Sequence, residues 1–205
     1  PVLTGSISRL FLGYLTDRFG GRKVFSLLML LTGVFVFLLS LANTYWLLLL
    51  GALGVGLAGG SFIVGVAYTS AWYPPEKQGT ALGIFGAGNV GSAITSLCAP
   101  SLLLALGWTG TAQLYAVVIA ASGIFFLLFA RTDPLSQQRA ANPVSLKEQF
   151  APLGELRVWR FSLYYFFVFG GFVALALWLP HYLVEVYGLS ITVAGVVAAL
   201  YTIPA

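Results

Sequence analysis

The stretch GYLTDRFGGRK, residues 13–23, carries Arg18, Arg22 and Lys23 of the chain's ten basic residues, and Asp17 of its six acids. It stands between two runs that are almost wholly apolar, PVLTGSISRLFLGYL before it and VFSLLMLLTGVFVFLLS after it. That alternation continues to the end of the chain. Of 205 residues 59% are apolar and only 8% charged, against about 25% charged in a soluble domain. Seven apolar runs follow one another, at approximately 1–16, 24–42, 46–71, 80–106, 110–130, 161–184 and 190–205. A span of hydrocarbon needs roughly 20 apolar residues. Runs of that length without strict alternation predict helices, because a barrel strand would be shorter and alternate. The expected fold class is therefore an all-α membrane protein with the bilayer as its solvent. Pro1 is no initiator and Ala205 ends inside an apolar run, so a fragment truncated at both ends is expected.

Basic residues favour the cytoplasmic side of a membrane. Nine of the ten lie in the first, third and fifth loops: Arg18, Arg22 and Lys23; then Lys77; then Arg131, Arg139, Lys147, Arg157 and Arg160. The second, fourth and sixth loops, ANTYW, GWTGT and EVYGLS, have none. This asymmetry predicts that the first loop is cytoplasmic, and it accounts for the formal charge of +4 without any role in nucleic-acid binding. The fifth loop, Arg131–Arg160, is polar and holds Pro134, Pro143 and Pro152. It reads as a cytoplasmic linker at 131–160, between an N-terminal bundle at 1–130 and the start of a second bundle at 161–205. Within it, SLKEQFAPLGELRVWRF is expected on the membrane surface.

The tenth basic residue, Arg9, lies inside a span. Eight residues separate it from Asp17, which at 1.5 Å per residue is roughly 12 Å into the bilayer. Such a placement costs about 2.5–3.5 kcal/mol on insertion scales. No Asp or Glu lies within any span, and Glu185 sits only at an edge. Two readings stay open. A counter-charge elsewhere in a longer protein would neutralise Arg9, or Arg9 faces a cavity whose mobile occupant is an anion. Cation and proton carriers keep intramembrane carboxylates as ligands and relays, so the absence of carboxylates from these spans favours an anion, and exchange over proton symport.

Other chemistry finds little footing. GAGNVG at 86–91 fits the dinucleotide pattern G-x-G-x-x-G, but no charge occurs from Gly79 to Ala130, and position 111, where the ribose carboxylate would fall, is Thr111. Gly86, Gly88 and Gly91 then read as small residues that let helices pack closely, which leaves Asn89 unexplained. Cys98 is alone, and no cluster has metal-ligand spacing. His181 reads as an interfacial residue. No nucleophile–base pair suggests an enzyme, and no cofactor is expected.

GYLTDRFGGRK resembles the loop signature of the major facilitator superfamily, G-x-L-x-D-R-x-G-R-[RK], with one additional glycine. The resemblance implies a twelve-helix fold of which this chain covers helices 2 to early 8. It also implies a gating loop in which Gly13 and Gly20 allow a tight turn while Asp17, Arg18 and Arg22 make charge contacts. Within that superfamily the chain resembles the nitrate/nitrite porter family. GAGNVGSAITSLCAP is similar to its glycine-rich helix 5 signature, with Asn89 at the substrate asparagine. Arg9 matches the anion-gripping arginine, Phe62 in GLAGGSFIVG a site phenylalanine, and Tyr165 and Phe169 in SLYYFFVFGGF a helix 7 pair. Gly170 and Gly171 would let that helix bend or approach a neighbour closely. The resemblance implies transport of nitrate or nitrite by alternating access, by a monomer in a bacterial inner membrane. The family's second arginine, early in helix 8, would fall beyond LYTIPA. A carrier of another small anion, such as a carboxylate, and a non-transporting anion sensor are the alternatives.

Overall fold

The computed structural model describes residues 1–135, 148 and 150–202. The middle of the polar fifth loop, with Arg139, Pro143 and Lys147, and the final residues 203–205 lie outside the described residues. No strand occurs among the described residues, and all seven apolar runs are helical there. The helices are α1 Val2–Phe19, α2 Gly21–Ser40, α3 Tyr45–Gly56, α4 Ser61–Ser70, α5 Pro75–Gly86, α6 Val90–Phe129, α7 Leu156–Tyr187 and α8 Ile191–Thr202. Short 3₁₀ turns at Leu57–Gly60 and Ala87–Asn89 join α3 to α4 and α5 to α6. Among the described residues, four stretches are long and apolar enough to cross a bilayer: Gly21–Ser40, Tyr45–Ser70, Pro75–Phe129 and Leu156–Tyr187. The third is 55 residues long, far more than one crossing requires. It is broken at Gly107, whose φ of 66° and ψ of −178° no helix accommodates.

Two boundaries differ from the sequence reading. Gly13, Asp17 and Arg18 belong to the last turns of α1 and not to a loop. The connection between α1 and α2 is Gly20 alone, at φ 85°, a conformation for which glycine lacks the Cβ penalty. Charged residues had suggested a loop, yet a helix projecting past the hydrocarbon carries charge without unwinding. For the same reason α7 starts at Leu156, ahead of the apolar run, and includes Arg157 and Arg160. The Trp159 indole donates to the Leu153 carbonyl at 2.7 Å and ties this start to the 3₁₀ turn Ala151–Gly154.

Contacts divide the chain into two compact units. The first takes in Pro1–Phe85 and the chain from Trp108 into the polar segment. Its apolar core is Leu12, Val24, Leu28 and Val64, flanked by Leu15, Phe25 and Leu57. Glycine sets how close these helices come. A Cβ on Gly5 would stand 2.8 Å from the Gly56 carbonyl oxygen, and one on Gly59 would stand 3.1 Å from the Gly5 Cα. Here α1 meets the Leu57–Gly60 turn backbone to backbone. Gly33 lies in the same way against Ala116 and Ala120 of α6.

The second unit takes in Gly86–Gly107 and the chain from residue 150 onward. α7 ends in a left-handed Gly188, whose N–H donates to the Val184 carbonyl at 3.1 Å in an αL cap. Ser190 then caps α8 by accepting from Val193 N–H at 3.3 Å. Ala194, Ala198 and Ala199 of α8 are buried. A Cβ on Gly195 would stand 2.5 Å from the Ser96 carbonyl oxygen and 3.1 Å from Pro100, so α8 lies tightly on the first part of α6.

Gly5→Val is expected to overpack the α1 contact and to cost about 1–3 kcal/mol, read as a lower unfolding midpoint in detergent. Gly13→Ala, where a Cβ meets nothing within 4 Å, is expected to leave the midpoint unchanged or raise it.

Candidate functional site

Arg9 sits on α1, half-buried. Its Nε donates to the Gly59 carbonyl at 3.1 Å. Gly59 belongs to the 3₁₀ turn near the middle of the apolar stretch Tyr45–Ser70. Among the described residues no other hydrogen bond or ion pair engages the Arg9 side chain. A guanidinium carries five N–H donors, so both of its terminal amino groups have donors to spare. Phe62 begins the following helix, and its ring packs on Phe85 at 5.6 Å between centroids. Phe85 in turn lies over Gly65, the place a side chain would need.

Asn89 ends the 3₁₀ turn between α5 and α6 and is exposed. Its backbone carbonyl accepts from Ser92 Oγ at 2.7 Å, and Ser96 Oγ bonds the Ser92 carbonyl at 3.0 Å. No protein partner occupies its side-chain amide among the described residues. A Cβ on Gly86, Gly88 or Gly91 meets no described atom within 4 Å. α7 runs unbroken through Gly170 and Gly171, and a Cβ on either meets no described atom within 4 Å.

Tyr165 and Phe169 stack on one face of α7, with centroids 5.0 Å apart and planes 14° apart. Phe169 continues to Phe172 at 6.1 Å, and Phe172 to Tyr201 of α8 at 6.0 Å. The ladder thus links the two helices. Arg9 and Phe62 fall in the first compact unit, and Asn89, Tyr165 and Phe169 in the second.

At the basic end of the first unit, Arg22 donates from Nε to the Leu127 carbonyl at 3.1 Å, and its Nη2 reaches the same oxygen. That carbonyl is in the last turn of α6, where no helical N–H is left to meet it. Asp133 accepts from Gly21 N–H at 3.4 Å, at the start of α2. The Tyr68 hydroxyl donates to the Arg131 carbonyl at 2.7 Å, and a Cβ on Gly21 would strike the Tyr68 ring. Arg18 reaches Tyr14 at 3.4 Å and lies over the Phe19 ring, while Asp17 is half-buried. The signature residues Gly20 and Arg22 therefore act on helix ends. Sequence reasoning missed Gly59, Tyr68, Asp133 and Tyr201, since each acts through a contact far along the chain. The doubled glycine in GLAGG was the one local signal for Gly59.

Among the described residues no group of three or more His, Cys, Asp or Glu could hold a metal. The Trp178 and His181 rings meet edge to face, and Cys98 is exposed.

Long apolar helices, with no strand among the described residues, define an all-α, multi-pass membrane protein. The chain belongs to the Major Facilitator Superfamily, whose family description matches residues 1–205. It is similar to the probable nitrate/nitrite antiporter NarK1 of Thermus thermophilus, 44% identical over the whole chain and 48% of that protein. It is 39% identical to the nitrite extrusion protein of Bacillus subtilis over 95% of the chain and 48% of that protein. Similarity to the probable nitrate/nitrite transporter NarK2 of Mycobacterium tuberculosis is 34% over the whole chain and 52% of that protein. The chain spans about half the length of these relatives.

Arg22→Ala leaves the Leu127 carbonyl without its charged donor. It is expected to cost about 1.5–3 kcal/mol, read as a lower unfolding midpoint in detergent, with Arg22→Lys falling between the two.

Proposed function

We propose that this chain is the central part of a nitrate/nitrite transporter, helices 2 to early 8 of a twelve-helix protein that works by alternating access. The observation that carries this reading is Arg9: a cation in an apolar helix, held by a neutral carbonyl, with amino donors left for an anion. Its contact with Gly59, near the middle of a long apolar stretch, supports a place near the bilayer midplane, where substrates of such carriers bind. The names of three relatives point to the same anions.

In this reading the planar guanidinium pairs with two oxygens of a small planar anion. Asn89 adds a neutral amide donor, and Phe62, Tyr165 and Phe169 exclude water, which strengthens the charge-assisted bonds. The basic loops face the cytoplasm of a bacterial cell whose inner membrane holds the protein as a monomer. The halves of the complete protein, 1–130 and the bundle begun at 161–205, rock about the anion while the 131–160 linker joins them. Asp17 and Arg18 contribute to closing the cytoplasmic side. With no carboxylate in these spans, exchange of nitrate for nitrite is favoured over proton symport.

The test is labelled nitrate uptake by proteoliposomes of the complete protein, empty or preloaded with nitrite. Uptake is expected to rise with internal nitrite. Arg9→Lys keeps the charge but loses the fork, and is expected to lower uptake about ten-fold or more, the scale of one charge-assisted hydrogen bond. Near-normal uptake by that variant would remove the bidentate grip. Flux of a small carboxylate in place of nitrate would make this a carrier of another anion, and binding without flux would make it a sensor.

A further inference from the structure

A guanidinium can meet two oxygens of a planar anion in two ways: end-on through its two terminal amino groups, or side-on through Nε and one of them. These edges are not equivalent once the protein has used one. We infer that the Gly59 carbonyl is a positioning group: it occupies Arg9 Nε and so presents the anion with the end-on pair, Nη1 and Nη2. This rests on the reading of Arg9 as the anion's ligand.

The bond is 3.1 Å long and joins residues fifty positions apart, so it fixes α1 against the 3₁₀ turn and not merely against itself. It forms because both backbones are bare at the crossing. A Cβ on Gly59 would stand 3.1 Å from the Gly5 Cα, and a Cβ on Gly5 would stand 2.8 Å from the Gly56 oxygen. Any side chain at either place pushes α1 outward and lengthens the reach from Arg9 to the Gly59 oxygen. A carbonyl also suits this task better than a carboxylate would. It satisfies Nε and fixes the plane of the guanidinium, yet leaves the positive charge uncancelled for the anion. Gly59 touches no substrate in this scheme, and its effect passes wholly through the orientation of Arg9.

The experiment follows the Arg side chains of the ¹⁵N-labelled complete protein by NMR, with the Arg9 Nε–H signal identified by its loss in Arg9→Lys. In the free protein this proton is expected to exchange with water at least about ten-fold more slowly than that of Arg18, whose Nε makes no hydrogen bond among the described residues. Saturating nitrate is expected to move the Nη signals and leave Nε–H in place. Gly59→Ala is expected to raise the KM for nitrate about ten-fold with kcat within about two-fold, and to speed Nε–H exchange, as loss of one hydrogen bond to a charged group would. Exchange as fast as that of Arg18 overturns the inference whatever the substrate, and so does an Nε–H signal that moves with nitrate as the Nη signals do. If the Gly59→Ala protein does not fold, the two wild-type measurements still decide. Failure of the wild type to bind or carry nitrate counts against the proposed function, while exchange in the nitrate-free protein judges the hold on Arg9 separately.

Discussion

In hydrocarbon a peptide group without a hydrogen-bond partner costs several kcal/mol, and this single constraint orders the molecule. At four places the backbone leaves the α-helix next to glycine and over few residues: Gly20 alone between α1 and α2, the turns Leu57–Gly60 and Ala87–Asn89, and the break at Gly107. At the basic end of the first unit, side chains from other elements meet the helix ends. Arg22 answers the last turn of α6 and Asp133 the first turn of α2, while Tyr68 holds the Arg131 carbonyl beyond α6. Charges at the basic end therefore do more than mark a side of the membrane. They satisfy the ends of helices that lipid leaves unsatisfied.

Arg9 is the same constraint seen from the side chain. A cation in this setting needs donors satisfied and charge compensated, and the protein separates the two needs. The Gly59 carbonyl meets the first in part, at a crossing where glycines bring two backbones together. Compensation of the charge is left to a ligand in our reading of the function, which is what distinguishes a binding residue from a structural ion pair. The relatives that carry nitrate or nitrite in their names fit a ligand of that charge and size.

Hydropathy made the helices legible in the sequence and singled out Arg9, because solvation by lipid acts on every residue of a span. The short basic motif at 13–23 carried the family. What sequence reading placed badly were positions whose meaning lies in a distant partner. Gly13, Asp17 and Arg18 read as loop by composition but continue α1, since charge is tolerated on a helix turn that leaves the hydrocarbon. Gly86, Gly88 and Gly91 suggested close packing, and among the described residues the tight contacts include those at Gly5, Gly59 and Gly195. Tyr201 was one aromatic among many until its stack on Phe172 joined α8 to the Tyr165–Phe169 pair.

The four-residue 3₁₀ turn at Leu57–Gly60 also changes the phase of the span it interrupts. A 3₁₀ residue advances about 120° around the axis against about 100° in an α-helix, so four of them rotate everything that follows by roughly 80°. Phe62 and Val64 consequently point almost a full residue step away from where a wheel drawn from Tyr45 would put them. One half of the stretch can face a different neighbour from the other half without any bend in the chain. A second 3₁₀ turn lies over Ala87–Asn89, so periodicity must be counted afresh on either side of the glycines there as well.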